Sequence, residues 1–159
     1  MPILKKPDAV FDKKALELIT QTKTAVLSTV TKAGRPQSAA ISFLFVAPNE
    51  FYMVVGKESA KYKNLLKNPY VALAIFDDSE MPGTVQIEGA AAVVKNEDEE
   101  RYILDRFTNE VWGDLPFYPV TFRLPNPRLV LVKITVLAGK WFKDEMKVST
   151  LTLYPQTLT

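Results

Sequence analysis

The chain has 159 residues, of which 47% are hydrophobic and 24% are charged, a composition typical of one soluble globular domain. Its 20 basic and 18 acidic residues nearly balance, which argues against nucleic acid or a membrane surface as partner. The absence of cysteine and histidine excludes disulfides, zinc–thiolate sites and Ser-His or Cys-His catalysis by this chain. Chemistry would therefore depend on a bound cofactor.

The N-terminal segment predicts a cytoplasmic protein. Lys5, Lys6 and Asp8 interrupt it where a signal peptide would be apolar. No apolar run approaches the length of a membrane span. We expect residues 1–10 to form an N-terminal arm of a single domain that covers residues 1–159.

The first third of the chain predicts a helix followed by strands joined by short turns. Apolar spacing and turn residues give the element boundaries. The predicted elements are a helix capped by Asp12 and ending near Thr22, strands at 24–31, 37–46 and 50–55, and a turn at 32–35 with Gly34 at positive φ.

The second of these strands has two unlike faces. Bulky and apolar residues share one face with Ala39, whereas the other face is small and partly hydroxylated. The core face is Ala39, Ile41, Phe43 and Phe45, and the small face is Ser38, Ala40 and Ser42. The small face suits either a flat ligand or plain solvent, and the pattern alone does not decide between them.

The stretch from Gly56 to Pro69 predicts a strand that turns through glycine into a short helix. Ser59 is placed as the N-cap, and Asn68-Pro69 ends the helix. Tyr62, Leu65 and Leu66 form its predicted apolar face. The free N–H groups of a helix start, with Lys57 and Lys61 beside them, suit a phosphate, although a solvated basic face has the same pattern.

The second half predicts more strands, one helix and one irregular segment. Its proline-rich segment contains four prolines among aromatic residues and predicts a loop packed over the domain. The predicted elements are a strand at 70–76 buried on both faces, a polar connection at 77–83, a strand at 84–94 bent at Gly89, a helix capped by Asn96 with Ile103, Leu104, Phe107 and Val111 on its core side, the loop at 112–128, and strands at 129–137 and 148–154.

Few helices and short connections predict a mainly β fold, an antiparallel β-barrel with peripheral helices. The order of features also resembles the pyridoxamine 5′-phosphate oxidase-like family of FMN-binding split β-barrels. The stretches that carry the resemblance are Leu27-Ser28-Thr29-Val30 to Pro36, Ser59-Ala60-Lys61, residues 64–73 and residues 85–91.

The resemblance implies a homodimer with FMN in clefts between the subunits. It assigns Ser59 and Lys61 to the flavin phosphate, and it places the 38–42 strand beside the flavin ring. The residues it implies at the cofactor are Ser38, Ala39, Ala40, Ile41, Ser42, Val54, Val55, Ser59, Lys61, Thr84 and, as the aromatic contributed across the dimer, Trp141.

The implied function is an FMN-dependent oxidoreductase of a small-molecule substrate, with hydride transfer through the flavin. Ala60 stands where the oxidases usually have arginine, and the chain lacks the histidine of their C-terminal substrate-binding motif. Vitamin B6 oxidation is therefore not the expected reaction. The alternatives are a non-catalytic FMN-binding or electron-carrier protein, a reductase using the deazaflavin cofactor F420, and an interaction module without a working cofactor site.

Overall fold

The computed structural model describes residues 11, 13–76, 83–113, 126–143 and 148–151. These residues form helices and strands with only antiparallel strand pairs, which confirms the mainly β architecture. In chain order the elements are α1 (Lys13–Gln21), β1 (Thr24–Val30), β2 (Pro36–Ser42), β3 (Leu44–Val46), β4 (Glu50–Gly56), α2 (Ala60–Lys67), β5 (Tyr70–Phe76), β6 (Gly83–Val93), α3 (Glu97–Phe107), one π turn (Thr108–Trp112), β7 (Leu129–Lys143) and β8 (Val148–Leu151).

Some sequence predictions concern residues outside this description. They are the arm at 1–10, the cap at Asp12, the connection at 77–82, residues 114–125 of the proline-rich loop and the end of the last strand at 152–154. Among the helices that are described, none combines the length and the apolar character that a membrane crossing requires.

The sheet closes on itself through a single residue. Its strands pair in the order β2-β1-β5-β6-β7-β4-β3, and β8 pairs with β7. The two strands at the ends of this path, β2 and β3, are consecutive in the chain, with only Phe43 between them. A sheet whose two ends share one stretch of chain must curl round, so the strands form a split barrel.

The prediction of one strand over 37–46 is therefore wrong in one respect. The stretch is divided into β2 and β3, because the chain leaves β1 and joins β4 at Phe43. The Phe43 side chain is buried, and its N–H donates to the carbonyl oxygen of Lys23 at 3.1 Å. Phe43 and Phe45 both pack on Phe51, with ring centroids 5.4 and 4.9 Å apart, so the predicted core face holds on both sides of the break.

The barrel interior contains the main apolar core, and a smaller core lies under α3. The main core contains residues of α1, α2, β1, β2, β4, β5, β6 and β7. The smaller core combines Leu44, Tyr52 and Leu131 with the predicted apolar side of α3, and it includes Trp112 in the π turn. The predicted N-caps of α2 and α3 are confirmed, since Ser59 and Asn96 accept hydrogen bonds from the N–H groups of Tyr62 and Glu99.

Two burial predictions are wrong. β5 was expected to be buried on both faces, but it alternates, and the side chains of Tyr70 and Phe76 are 47% and 55% exposed. β5 lies between β1 and β6 in a single curled sheet, so one of its faces points outward. On α2, Leu65 is buried as expected, whereas Leu66 is 59% exposed because the helix turns Asn64 toward the sheet instead.

A β-bulge divides the long β6–β7 pairing. The register shifts between Glu88 and Gly89, which confirms the irregularity predicted at Gly89. Glu88 pairs with Ala138 and Gly89 with Val136, so Leu137 of β7 is the extra residue. β7 continues through this point to Lys143, well beyond the predicted end at Leu137.

A polar cluster ties α3 to β4 and β7. The Tyr52 hydroxyl lies 2.8 Å from Glu99 Oε1 and 3.1 Å from Glu50 Oε2, so one phenolic proton serves two carboxylates. Lys133 Nζ balances their charge, donating to Glu99 at 2.8 Å and lying 3.9 Å from Glu50. Burial, and next the bond to Glu99, raises the pKa of Tyr52 far above its usual value, and the bond from Lys133 lowers the pKa of Glu99.

Replacing Gly83 by alanine is expected to destabilise the fold. A Cβ at this position would overlap the indole ring of Trp141, which is packed in the main core. We expect a loss of about 1–3 kcal/mol in the free energy of unfolding, measured by urea denaturation. Gly56→Ala is the control, because a Cβ there meets nothing within 4 Å. Equal losses in the two variants would contradict the close approach of Trp141 to β6.

Glu99→Gln is expected to lower the free energy of unfolding at pH 7 by about 1–2 kcal/mol. The pKa of Glu99 is lowered in the folded protein. The Glu99 carboxylate therefore contributes fully to the free energy of unfolding above the unfolded pKa of about 4.3, and this contribution is lost as the pH falls from there through the folded pKa. Wild type and variant should therefore converge in acid. The measurement is urea unfolding at several pH values. Glu97→Gln, in the exposed first turn of the same helix, should show no such convergence.

Candidate functional site

The start of α2 has the geometry predicted for an anion-binding helix terminus. Ser59 is extended, with φ −70° and ψ 147°, and its Oγ accepts from the Tyr62 N–H at 3.3 Å. The same hydroxyl donates to the Gly56 carbonyl oxygen at 2.7 Å, which fixes the turn from β4 into the helix. Both ends of this short connection are thus held by one side chain.

Two backbone donors remain available at this terminus. In the described part of the chain, the N–H groups of Ala60 and Lys61 donate to no hydrogen-bond acceptor. The positive end of the helix dipole adds to their effect. The one acidic side chain nearby in sequence, Glu58, is engaged in an ion pair with Lys63 at 3.1 Å. This pairing offsets the repulsion that Glu58 would exert on an anion.

An open cleft of about 330 Å³ lies between this helix start and the β1–β2 hairpin. β1 and β2 are paired along their whole length. α2 packs against β1. The lining residues are Thr29, Gln37, Ser38, Ala39, Ala60 and Lys61. The cleft therefore brings together Ser38, Ala39 and Lys61, which the sequence analysis had placed at one site from separate stretches.

Asn64 fixes the position of α2 on the hairpin. Its side chain is 9% exposed, and Nδ2 donates to Thr29 Oγ1 at 3.0 Å and to Gln37 Oε1 at 2.8 Å. Sequence reasoning missed all three residues. The signal was present, since Lys61, Asn64 and Leu65 follow the i, i+3, i+4 spacing of one helix face.

The remaining predicted site residues lie in different surroundings. Ala40 and Ser42 are on β2 next to the cleft lining, exposed and half-buried respectively. The side chains of Ile41 and Val55 point into the main core, and Val54 packs against the smaller core. Thr84 is half-buried on β6, which is separated from β1 by β5.

Trp141 is buried within its own chain. It is 7% exposed, belongs to the main core and lies over Gly83. A contact between Trp141 and a cofactor of a partner subunit stays a prediction.

The described residues contain no cluster of three or more Asp, Glu, His or Cys side chains suited to a metal ion. The cleft lining also contains no carboxylate. Its ionisable side chain is Lys61, and its other polar groups are a threonine, a serine and an amide. The cleft lining thus offers a ligand hydrogen-bond donors and one positive charge, and no negative charge.

Comparison with known proteins gives a family from the sequence. The family model described as "Pyridoxamine 5'-phosphate oxidase" matches residues 11–140. A pyridoxine/pyridoxamine 5'-phosphate oxidase of Bacteroides thetaiotaomicron is 30% identical over 95 residues, which are 59% of this chain and 44% of that protein. The match thus spans less than half the length of this curated relative.

Solved structures resemble the fold over most of the chain. The heme binding protein from Mycobacterium smegmatis has a TM-score of 0.73 at 14% identity, covering 94% of this chain and 60% of that one. The general stress protein 26 from Bacillus anthracis has a TM-score of 0.63 at 20% identity, covering 86% and 95%. At these identities the likeness concerns the fold.

Proposed function

This chain belongs to the pyridoxamine 5′-phosphate oxidase family, and from that premise we propose that it is an FMN-dependent oxidoreductase. The flavin phosphate would lie at the start of α2, and the substrate would be a small molecule. The observation that carries the proposal is the cleft between α2 and the β1–β2 hairpin, which joins a free helix start to a strand of small residues.

The residues of the cleft fit a flavin phosphate. Lys61 would supply a positive charge, and the N–H groups of Ala60 and Lys61 would donate to phosphate oxygens. Ser59, whose hydroxyl caps the helix, keeps this terminus in place. Ser38 and Ala39 leave room above β2, because neither side chain extends far from the strand.

We also propose that the complete site needs a second copy of the chain. The cleft is open on one side, and its volume of about 330 Å³ is at the lower end of the range of ligand pockets, about 300–1,000 Å³. A homodimer in which the partner covers the exposed side of the cofactor would complete the enclosure.

The flavin would supply the redox chemistry, by hydride transfer, and the chain would bind and orient it. The cleft lining offers no carboxylate, histidine or cysteine as a proton-transfer group. This observation also favours a second candidate function, a non-catalytic FMN-binding or electron-carrier protein. Reduction of bound FMN by NADH or NADPH, followed by transfer to an acceptor at a catalytic rate, would favour the enzyme.

Titration with FMN tests both candidates. Binding to the protein should quench the fluorescence of FMN. Saturating FMN should also raise the melting temperature of the protein, since a ligand that binds the folded state stabilises it. A parallel titration with F420 tests the deazaflavin alternative. Protein that changes neither signal with FMN would overturn the proposed cofactor, and a response to F420 alone would replace it.

Lys61→Ala is expected to weaken FMN binding about tenfold, measured by fluorescence titration at fixed ionic strength. The variant loses a charge in the first turn of α2, and a hydrogen bond to a charged group is worth about 1.5–3 kcal/mol. Lys67→Ala is the matched control, because Lys67 is in the last turn of the same helix. Equal effects would mean that the lysines act as a diffuse basic face and not through a phosphate site at the helix start.

A further inference from the structure

Asn64 connects three elements through one amide group. Both N–H bonds of its side chain are used, one to Thr29 and one to Gln37. Thr29 is 2% exposed and forms the fixed end of this connection, whereas Gln37 is exposed at the cleft. Asn64 therefore connects a buried hydroxyl on β1 to an exposed amide on β2.

This connection decides which atoms of Gln37 face the cleft. Its Oε1 accepts from Asn64 at 2.8 Å, so the amide nitrogen Nε2 on the other side of the group is turned away from the helix. Within the described residues Nε2 donates to no acceptor, and Gln37 lines the cleft. Gln37 thus adds N–H donors to a cleft that already has those of Ala60 and Lys61.

We propose that Asn64 is a positioning residue of the flavin site and that Gln37 is the donor it positions. Asn64 holds the Gln37 amide so that its N–H groups face the ligand. These N–H groups would then donate hydrogen bonds to carbonyl or other acceptor atoms of the cofactor. The inference rests on the proposed function and adds to it a determinant of specificity outside the phosphate site.

The orientation is testable without any cofactor. In the wild-type protein, side-chain amide protons of Asn64 should exchange slowly in NMR spectra, and those of Gln37 should exchange rapidly. In Asn64→Asp, the residue at position 64 only accepts when ionised, so the Gln37 amide must reverse and its exchange should slow. Protected Gln37 and rapidly exchanging Asn64 protons in the wild type would overturn the proposal, even where Asn64→Asp does not fold.

A double-mutant cycle tests the effect on the ligand. Riboflavin is the probe, because it lacks the phosphate that an added carboxylate would repel. Asn64→Asp should weaken riboflavin binding about fivefold in the wild-type background and less than about twofold in the Gln37→Met background. The same factor in both backgrounds would show that Asn64 does not act through Gln37.

These results separate the two proposals. Failure of the wild type to bind FMN removes the proposed function, whereas the exchange experiment still reports the orientation of Gln37. FMN binding that depends on Lys61, together with independent effects of Asn64 and Gln37, removes only this inference. Melting temperatures of each variant show that the comparison concerns folded protein.

Discussion

The fold depends on the passage of the chain through Phe43. β2 and β3 are at opposite ends of the strand order, yet they follow one another in sequence. The position of Phe43 therefore determines where the two ends of the curled sheet meet. The Phe43 ring is buried against Phe51, and its N–H is bonded to the carbonyl of Lys23. Packing and a backbone hydrogen bond thus act at the one point where the two ends of the sheet meet.

The candidate site follows from this closure. β2 ends before Phe43, where the chain passes to β3. The residues of β2 before this point form the terminal strand of the sheet and pair with β1. α2 packs against β1 of this hairpin, and Asn64 bonds it to both strands. The short turn at Gly56 to Ser59 then sets the helix start beside Ser38 and Ala39, and the cleft results from that placement.

Local signals in the sequence predicted local structure well. The caps at Ser59 and Asn96 and the positive φ of Gly34 depend on residues close together in the chain, and all were predicted. The irregularity at Gly89 was predicted from the glycine, although the extra residue is in the partner strand β7. The break at Phe43 was not, because its cause is the pairing of β3 with β4, which no local pattern encodes.

The same reasoning explains what was missed at the site. An apolar periodicity predicts Leu66, and not Asn64, on the buried side of α2. In the structure Asn64 is buried and Leu66 is exposed. The outcome depends on two polar partners, Thr29 and Gln37, that are 35 and 27 residues away in sequence. Sequence reasoning predicted a phosphate site at the helix start and missed the residues that hold the helix in place.

The bulge at Leu137 has a consequence for changes in chain length. Before it, the residues of β7 in the main core are Val132, Ile134 and Val136, and after it the buried residues are Gly139 and Trp141, so the parity of the inward positions changes at this residue. Deleting Leu137 would restore a regular ladder in which Trp141 still pairs with Val85 and faces inward, with Lys140 outward. A single lost codon here would therefore be absorbed at the bulge, whereas one lost from a regularly paired part of a strand would exchange the two faces of that strand.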